Sequence, residues 1–376
     1  MSAPVVKGWC PGAHRPMMSG DGLVFRVRPF LGELSAAQAL GLCDLATKFG
    51  NGVLDLTSRA NLQIRGVSET DQAALLTALD ALGLLDADPA VEGHRNILMP
   101  LTWDEGDLTY RLYKSLLATL PHLPDLPDKM GFAIDTGRDA CLRSGSADFR
   151  FELGDAGGLI LRLDGSETGR AIVEANAMDA LLEMANWFVR SGGPVHGRMA
   201  RHIPHVAPPA LWCAMPPRHE ARPATLGPAM GGTVLGAPFG KIPAGDLRAL
   251  IENSGATHLR PMLDRMLYLK GANIAEAEGF VTRPTRLMQV HACPGAPFCP
   301  QASVETIALA KQLAHRGEGV LHVSGCTKGC AHPRLAAMTL VGANGKLDLV
   351  RNGAPWDAPD RLGLTLGDVK ELFGRI

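Results

Sequence analysis

Four of the eight cysteines lie close together near the C-terminal end, and this grouping strongly constrains how the chain can fold. Five residues separate Cys293 from Cys299, and three separate Cys326 from Cys330. Both pairs lie in glycine- and proline-rich segments, Cys-Pro-Gly-Ala-Pro-Phe-Cys-Pro and Ser-Gly-Cys-Thr-Lys-Gly-Cys-Ala-His-Pro. Glycine lets a backbone curl around an inorganic group and point N–H groups at it, while proline stiffens the loops that present ligands. We therefore expect both loops to hold one metal centre.

The spacing favours a [4Fe-4S] cluster bound by the thiolates of Cys293, Cys299, Cys326 and Cys330. Zinc is the main alternative. Structural zinc sites, however, favour two to four residues between paired cysteines, and the first pair here has five between them. Four thiols that bind no metal are the second alternative.

Composition limits the classes of partner that the chain can have. The formal net charge is -1, which gives no general reason to expect nucleic acid or an acidic membrane surface as a partner. The first residues do not have the apolar core of a signal peptide, and no run approaches the roughly 18 apolar residues of a membrane span. We therefore expect a cytoplasmic protein, in which thiols stay reduced.

Two segments share the order strand, helix, strand, which predicts a layered α+β fold and suggests an internal duplication. Two unrelated α/β units are the alternative. The first has predicted strands at residues 23–28 and 53–64 and helices at 35–49 and 70–85. The second has predicted strands at residues 234–238 and 258–269 and a helix at 244–254. Further along, we predict a helix at 303–316, a strand at 320–324, a hairpin at 337–351 turning at Asn344-Gly345, and a last helix near Thr365 capped by Asp368.

The cysteine motifs resemble those of the nitrite and sulfite reductase superfamily, and three other segments extend the likeness over nearly the whole chain. Leu56-Thr-Ser-Arg-Ala-Asn-Leu-Gln-Ile-Arg-Gly66 is similar to the family's Thr-x-Arg-x-x-x-Gln segment. Arg95-Asn-Ile-Leu98 is similar to its Arg-Asn-Val segment, and Leu126-Pro-Asp-Lys-Met-Gly131 to its Leu-Pro-x-Lys-x-Lys segment. The resemblance implies two ferredoxin-like half-domains, at residues 1–85 and 216–285. It also implies two α/β modules, at 86–215 and 286–376, related by a pseudo-repeat, the last carrying the cluster ligands.

By this resemblance, Arg59, Arg95 and Lys129 contact an anionic tetrapyrrole, and Thr57, Asn61, Gln63 and Arg65 add hydrogen bonds. Guanidinium groups suit this role because they bind carboxylates at two points and keep their charge when partly buried. For each residue the alternative is a solvated position at a strand edge. In the siroheme reductases, the cysteine that Cys330 matches also bridges to the haem iron.

Gly131 replaces the second lysine of the family's Leu-Pro-x-Lys-x-Lys segment. A reducer of nitrite or sulfite needs dense positive charge around its small anion, so this replacement weakens that interpretation. We also expect the glycine to leave room beside the macrocycle.

Within the superfamily, Gly8-Trp-Cys-Pro-Gly12 and the segment from Pro16 to Pro29 resemble the monooxygenases of aerobic cobalamin biosynthesis. Those enzymes use dioxygen to hydroxylate precorrin-3A between rings A and D and to close a lactone from the ring A acetate. The resemblance implies the [4Fe-4S] cluster and an additional mononuclear non-haem iron. The alternatives are a siroheme-dependent sulfite or nitrite reductase, and a non-catalytic iron–sulfur carrier or zinc-stabilised binding module.

The ligands of the additional iron are not evident from the sequence. His196, His202 and His205 form a local group, and His14 and His332 are other options, but for each the pattern favours a structural role as a hydrogen-bonding surface or loop residue. No Gly-x-Gly-x-x-Gly segment opens a helix after a strand, so we expect no dinucleotide-binding domain. Electrons from NADH would therefore arrive through a separate reductase.

Overall fold

The computed structural model describes residues 9–221, 224–316 and 318–374. The strands, numbered along the chain, are β1 (Met17–Ser19), β2 (Gly22–Val27), β3 (Leu34–Ser35), β4 (Val53–Leu56), β5 (Leu62–Val67), β6 (Ile97–Leu98), β7 (Phe132–Asp135), β8 (Phe149–Leu153), β9 (Leu159–Leu163), β10 (Arg170–Ala171), β11 (Gly227–Ala229), β12 (Gly232–Gly236), β13 (Lys241–Pro243), β14 (His258–Pro261), β15 (Met266–Lys270), β16 (Val290–Ala292), β17 (Leu321–Ser324), β18 (Ala336–Ala343), β19 (Lys346–Gly353) and β20 (Arg361–Leu364).

The α-helices are α1 (Ala36–Phe49), α2 (Gln72–Ala81), α3 (Pro89–His94), α4 (Leu108–Thr119), α5 (Ala177–Arg190), α6 (Gly193–His196), α7 (Met199–His202), α8 (Ala244–Ser254), α9 (Ile307–Leu313) and α10 (Leu366–Gly374). Short 3-10 turns join several of them. Among the described residues, no helix combines the length and apolar character that a membrane span requires.

The two predicted repeats form two five-stranded sheets that exchange one strand each. The first sheet has the order β1-β2-β5-β4-β13, and the second has the order β11-β12-β15-β14-β3. Strand β3 of the first repeat therefore completes the sheet of the second, and β13 of the second completes that of the first. One hydrophobic core, which runs from Ala13 to Leu84 and from Leu235 to Ile274, fills the space between them.

Backbone geometry confirms the internal duplication. Leu31 and Phe239 adopt φ values of 57° and 59° in the short turns after β2 and β12. Ala60 and Asp264 adopt φ values of 53° and 55° in the turns that follow β4 and β14. Residues other than glycine rarely adopt this left-handed conformation. Its recurrence at two matched places therefore shows that the repeats share their backbone path as well as their order of elements.

The sequence prediction of single strands at 53–64 and 258–269 is wrong, because each segment forms two strands around a tight turn. In the first, the Thr57 side-chain oxygen accepts hydrogen bonds from the backbone N–H groups of Arg59 and Asn61, at 3.3 and 3.1 Å. In the second, Asp264 and Arg265 both have positive φ. Hydrogen bonds from a side chain to the nearby backbone compete with strand pairing and favour a turn. The alternation of polar residues in the sequence resembles that of one continuous strand, so the turn was not predicted.

The two α/β modules also repeat each other. The first has the sheet order β10-β9-β8-β7-β6, the second has β16-β17-β18-β19-β20, and in each the three strands that come first in sequence are parallel neighbours. Each module has its own hydrophobic core. The predicted hairpin at 337–351 is confirmed as β18 and β19. The predicted cap of the last helix is confirmed by hydrogen bonds between Thr365 and Asp368 in both directions, at 2.8 and 3.2 Å.

Candidate functional site

The two cysteine loops meet at one end of the second α/β module. Cys293 directly follows β16, and Cys326 and Cys330 lie in the loop after β17, which is the parallel neighbour of β16. Because parallel neighbours end at the same edge of a sheet, the two loops lie side by side. Desolvation by the surrounding protein raises the pKa of the Cys330 thiol, and Lys328 opposes this shift. The nearby thiols of Cys293, Cys326 and Cys299 raise the pKa further. The structure thus brings the four predicted ligands into one group.

Glycine allows this close approach of the loops. The Gly325 N–H donates a hydrogen bond to Cys293 Sγ at 3.2 Å. A Cβ at position 325 would lie 2.5 Å from Ala302 Cβ and 3.5 Å from Cys293 Sγ. Burial raises the pKa of the Cys293 thiol, and this hydrogen bond opposes the shift. A glycine-lined cradle with backbone N–H groups directed at sulfur suits an iron–sulfur cluster.

Within the described ranges, no group of three or more His, Cys, Asp or Glu side chains converges closely enough to hold one metal ion. For the additional mononuclear iron, the described residues provide no matching ligand set.

A cavity of about 620 Å³ lies between the cysteine loops and the first half-domain, and we call it the basic cavity. Cys293 and Cys330 form part of its wall, which accounts for the exposure of Cys330. The opposite wall comes from β2, β4, β5 and the turn at Thr57, while β13 and the turn at Asp264 close one side. Its positively charged lining residues are Arg26, Arg65, Lys241, Arg265 and Arg334.

Three buried guanidinium N–H groups at this cavity have no hydrogen-bond partner in the described part of the chain. They are Arg26 Nε and Arg265 Nε, on residues that line the cavity, and Arg59 Nη1 just behind it. Burial lowers the pKa of Arg265 to about 10, so the group still carries its charge at neutral pH. A buried donor without a partner is costly. Arg26 and Arg265, which line the cavity, add positive charge to its wall.

Of the predicted contact residues, Thr57, Gln63 and Arg65 line the basic cavity. The Arg65 guanidinium is already bound, because Nη2 and Nε donate to the two Asp21 carboxylate oxygens at 2.7 and 3.0 Å. Its Nη2 also donates to Ser19 Oγ at 2.9 Å. Arg65 therefore supplies positive charge at the wall while its hydrogen bonds hold β5 to the turn after β1.

Arg59 and Lys129 lie outside the lining, in a cationic group next to Ser146 of the cavity wall. Arg59 Nη2 donates to the Lys129 carbonyl at 2.7 Å and to Ser146 Oγ at 3.3 Å. Cys10 lies in the same group. Burial alone would raise the pKa of its thiol, but Arg26, Arg59 and Lys129 outweigh that effect and lower the pKa.

Arg95 and Asn61 line a different cavity, described below. The Arg95 Nε donates to Asp86 Oδ2 at 2.7 Å, and its Nη1 donates to the Arg28 carbonyl at 2.7 Å. Its guanidinium also stacks over the Phe30 ring, 3.8 Å from the ring centroid. These contacts account for the burial of Arg95 without any ligand.

Gly131 does not open space beside a macrocycle, contrary to the expectation from the sequence. A Cβ at this position would lie 2.8 Å from the Asn96 carbonyl oxygen and 3.2 Å from its Cβ. The Gly131 N–H donates to Asp148 Oδ2 at 3.0 Å. The position is closely packed against its neighbours, so a lysine here would require the Asn96 backbone to move.

The predicted histidine group is confirmed as a group in space but lies away from the basic cavity. The His196 and His205 rings stack with centroids 4.5 Å apart, and buried His202 bonds to Ser191 and His196. Two other histidines were candidate ligands of the additional iron. His14 Nε2 forms a hydrogen bond with the Asp86 carbonyl at 2.7 Å, and His332 lines the basic cavity.

Sequence reasoning missed several residues of the basic cavity. Arg26 was readable as part of an alternating strand, and in the sheet it is the cross-strand partner of Gln63, which lines the same cavity. The His291 and His332 rings are tilted against each other with centroids 4.2 Å apart, and burial lowers the pKa of both rings. No local pattern marks Lys241 or Arg265, because they reach the cavity through the second repeat.

Comparisons with known proteins agree with this geometry. Residues 15–82 match the model of the nitrite/sulfite reductase ferredoxin-like half domain. The chain is 28% identical to precorrin-3B synthase from Sinorhizobium sp, across 94% of this chain and 84% of that protein. It is 23% identical to ferredoxin–nitrite reductase from Synechococcus elongatus, across 90% of this chain and 80% of that one. The structure of NirA from Mycobacterium tuberculosis superposes with a TM-score of 0.69 at 18% identity, covering 93% and 79% of the two chains, which shows a shared fold.

Proposed function

We propose that this chain, which has the nitrite/sulfite reductase fold and resembles precorrin-3B synthase over nearly its whole length, is an oxygen-dependent oxidoreductase acting on precorrin-3A. The observation that carries the proposal is the basic cavity. Cys293 and Cys330 line this cavity together with Arg26, Arg65, Lys241, Arg265 and Arg334. A carboxylate-rimmed macrocycle would complement the positive charge of these arginine and lysine side chains.

The four cysteines, Cys293, Cys299, Cys326 and Cys330, would hold a [4Fe-4S] cluster, which supplies electrons one at a time when it is bound. Arg26 and Arg265, which line the cavity, would bind peripheral carboxylates of the macrocycle, and Arg59 just behind the wall would add positive charge. Thr57 and Gln63 would contact the ring edge. With Cys293 and Cys330 on the opposite wall, the macrocycle would lie between the carboxylate anchors and the electron source.

The overall reaction consumes dioxygen, two electrons and two protons. One oxygen atom becomes the hydroxyl group on the carbon between rings A and D, and the other leaves as water, after which the ring A acetate closes a lactone. The electrons would come from NADH through a separate reductase. Turnover by this chain with NADH alone would contradict that part of the proposal.

A siroheme-dependent sulfite or nitrite reductase is the second candidate, favoured by the likeness to ferredoxin–nitrite reductases. Such an enzyme would bind siroheme in the same cavity. The packing of Gly131 against Asn96 leaves the cationic group with Lys129 alone from the family's lysine pair, which weakens this candidate.

One purification distinguishes the two. Anaerobically purified protein should contain about four iron and four sulfide per chain and no siroheme absorption, and Cys326→Ser should lose the iron while Cys213→Ser keeps it. Incubation with precorrin-3A, an electron source and 18O2 should then place one labelled oxygen atom in the product. Siroheme bands, or nitrite reduction without oxygen incorporation, would overturn the proposal in favour of the reductase.

A further inference from the structure

A second cavity of about 670 Å³ lies between the first α/β module and the second half-domain, and we call it the arginine-rimmed cavity. It meets the basic cavity at Ser144, Leu263, Asp264 and Arg334, which line both. Nothing in the proposed reaction uses this space. Its volume lies within the range of binding sites for small molecules and cofactors.

The two cavities occupy equivalent places in the duplicated fold. In the first module, Met99 and Pro100 follow β6 and line the arginine-rimmed cavity. In the second module, Cys293 and Pro294 follow the corresponding strand β16 and line the basic cavity. The loop after β7 likewise lines the arginine-rimmed cavity, and the cysteine loop after β17 lines the basic cavity.

The half-domains obey the same relation. Gly32 lines the arginine-rimmed cavity and its counterpart Gly240 lines the basic cavity, each at the end of the short turn with a positive φ residue. Strand β14 provides the wall of one cavity through Arg260 and Pro261, and β4 provides that of the other through Asp55 and Leu56. The arginine-rimmed cavity is therefore the repeat-related copy of the basic cavity.

The copy keeps the character of a binding site but lacks the metal ligands. Its floor is apolar, with methionine and leucine side chains, including Met99 in the place of Cys293. Arg260 and Arg95 are neutralised inside the protein by Glu33 and Asp86. At the rim, Arg138 and Arg334 are exposed: Nη1 of Arg138 lies 3.6 Å from Met230 Sδ, and Nη2 of Arg334 donates to the Ser144 carbonyl at 3.4 Å. The acidic residues of the lining are Asp139, Glu220 and Asp264.

We propose that the arginine-rimmed cavity binds a second planar, carboxylated macrocycle of the same class as the substrate. This inference rests on the proposed function of the basic cavity. The ring system would lie on the apolar floor, and its carboxylates would reach Arg138 and Arg334. Because the cysteine wall is missing, this site holds its ligand without electron transfer. Through the shared Leu263 and Arg334, it lies next to the reactive site and can store substrate or product there.

The test is the binding stoichiometry of uroporphyrin, a fluorescent octacarboxylic porphyrin, measured with the purified holoprotein by equilibrium dialysis. The wild type should bind two equivalents. Met99→Trp fills the floor of the arginine-rimmed cavity and should bind one, while Met18→Trp at an exposed position should bind two. Arg138→Glu at the exposed rim should weaken one of the two sites about 10-fold or more through charge reversal.

A filling substitution in the basic cavity, Gln63→Trp, separates the two proposals. One equivalent in the wild type that Gln63→Trp removes and Met99→Trp leaves intact would overturn this inference and leave the proposed function standing. Binding of uroporphyrin to neither cavity would contradict both. Two equivalents that Arg138→Glu and Met99→Trp both leave unchanged would overturn the assignment of the second site.

Discussion

Lys241 of the second repeat and Asp55 of the first are cross-strand neighbours, and Lys241 Nζ lies 2.7 Å from one Asp55 carboxylate oxygen and 2.9 Å from the other. The pair joins β13 to β4 at the wall of the basic cavity. Arg65 Nε lies 3.9 Å from the same carboxylate. One ion pair thus connects the exchange of strands to the candidate site.

Removing the lysine should destabilise the protein. In Lys241→Met, the half-buried Asp55 keeps only the more distant Arg65 as a cationic neighbour, and a charge-assisted hydrogen bond contributes about 2 kcal/mol. We expect a loss of about 2 kcal/mol in the free energy of unfolding, measured by denaturant titration. Glu174→Gln, which breaks the exposed pair with Arg111, is the control and should cost less than about 1 kcal/mol. Equal losses in the two variants would contradict the structural role of Lys241.

The exchange of strands predicts that the first two predicted domains do not fold without the second repeat. A fragment of residues 1–215 lacks β13, so the backbone of β4 is left with an unpaired edge and half of the shared core is absent. We expect this fragment to show broad, non-cooperative thermal unfolding by circular dichroism. Co-expression with residues 216–376 should restore a cooperative transition. A fragment that unfolds cooperatively by itself would show that the repeats are independent.

The sequence predicted the order of elements in each repeat but not this exchange. Helix α8 was predicted at its observed bounds because Ala244 to Ser254 has local helical periodicity and ends at Gly255. The pairing of β13 with β4 joins residues far apart in the chain, and neither the three-residue β13 nor the two-residue β3 carries enough alternation to mark a strand.

The same distinction holds for the candidate site. The cysteine group could be predicted because the ligands occur as two short motifs with glycine turns. The motif that contains Arg59 and Arg65 predicted a single strand, which the structure divides into β4 and β5. It did not reveal that Arg65 is bound by Asp21. Asp21 lies just before β2, and only the pairing of β2 with β5 in the sheet brings it next to Arg65. Arg265 and His291 reach the cavity through tertiary packing alone.

Glycine at position 325 should be required for the metal content. In Gly325→Ala the new Cβ would lie 2.5 Å from Ala302 Cβ, so the Cys326 loop must shift away from Cys293. Displaced supporting groups typically weaken metal binding about 10-fold or more. We expect iron and sulfide per chain to fall in the purified variant. Gly158→Ala, whose Cβ meets no atom within 4 Å, is the control and should keep its iron. Full iron content in Gly325→Ala would exclude the proposed packing of the two loops.

The Cys10 thiol should be reactive because three cations surround it. Burial would raise its pKa, but Arg26, Arg59 and Lys129 lower it overall, so the thiolate fraction at a given pH exceeds that of an ordinary thiol. In contrast, burial raises the pKa of Cys43 to about 12. At pH 8 we expect iodoacetamide to modify Cys10 much faster than Cys43, as followed by peptide mass spectrometry.

Arg26 makes the cause of this reactivity testable. Arg26→Met removes the cation that lowers the Cys10 pKa most, so the midpoint of the pH–rate profile for alkylation should move to higher pH. Arg15→Met, which removes an exposed cation paired with Asp128, is the control and should leave the midpoint in place. Uroporphyrin in the basic cavity should slow the alkylation in the wild type, because Arg26 lines that cavity and would be occupied by a carboxylate. An unchanged midpoint in Arg26→Met would show that Arg26 does not control the reactivity of the Cys10 thiol.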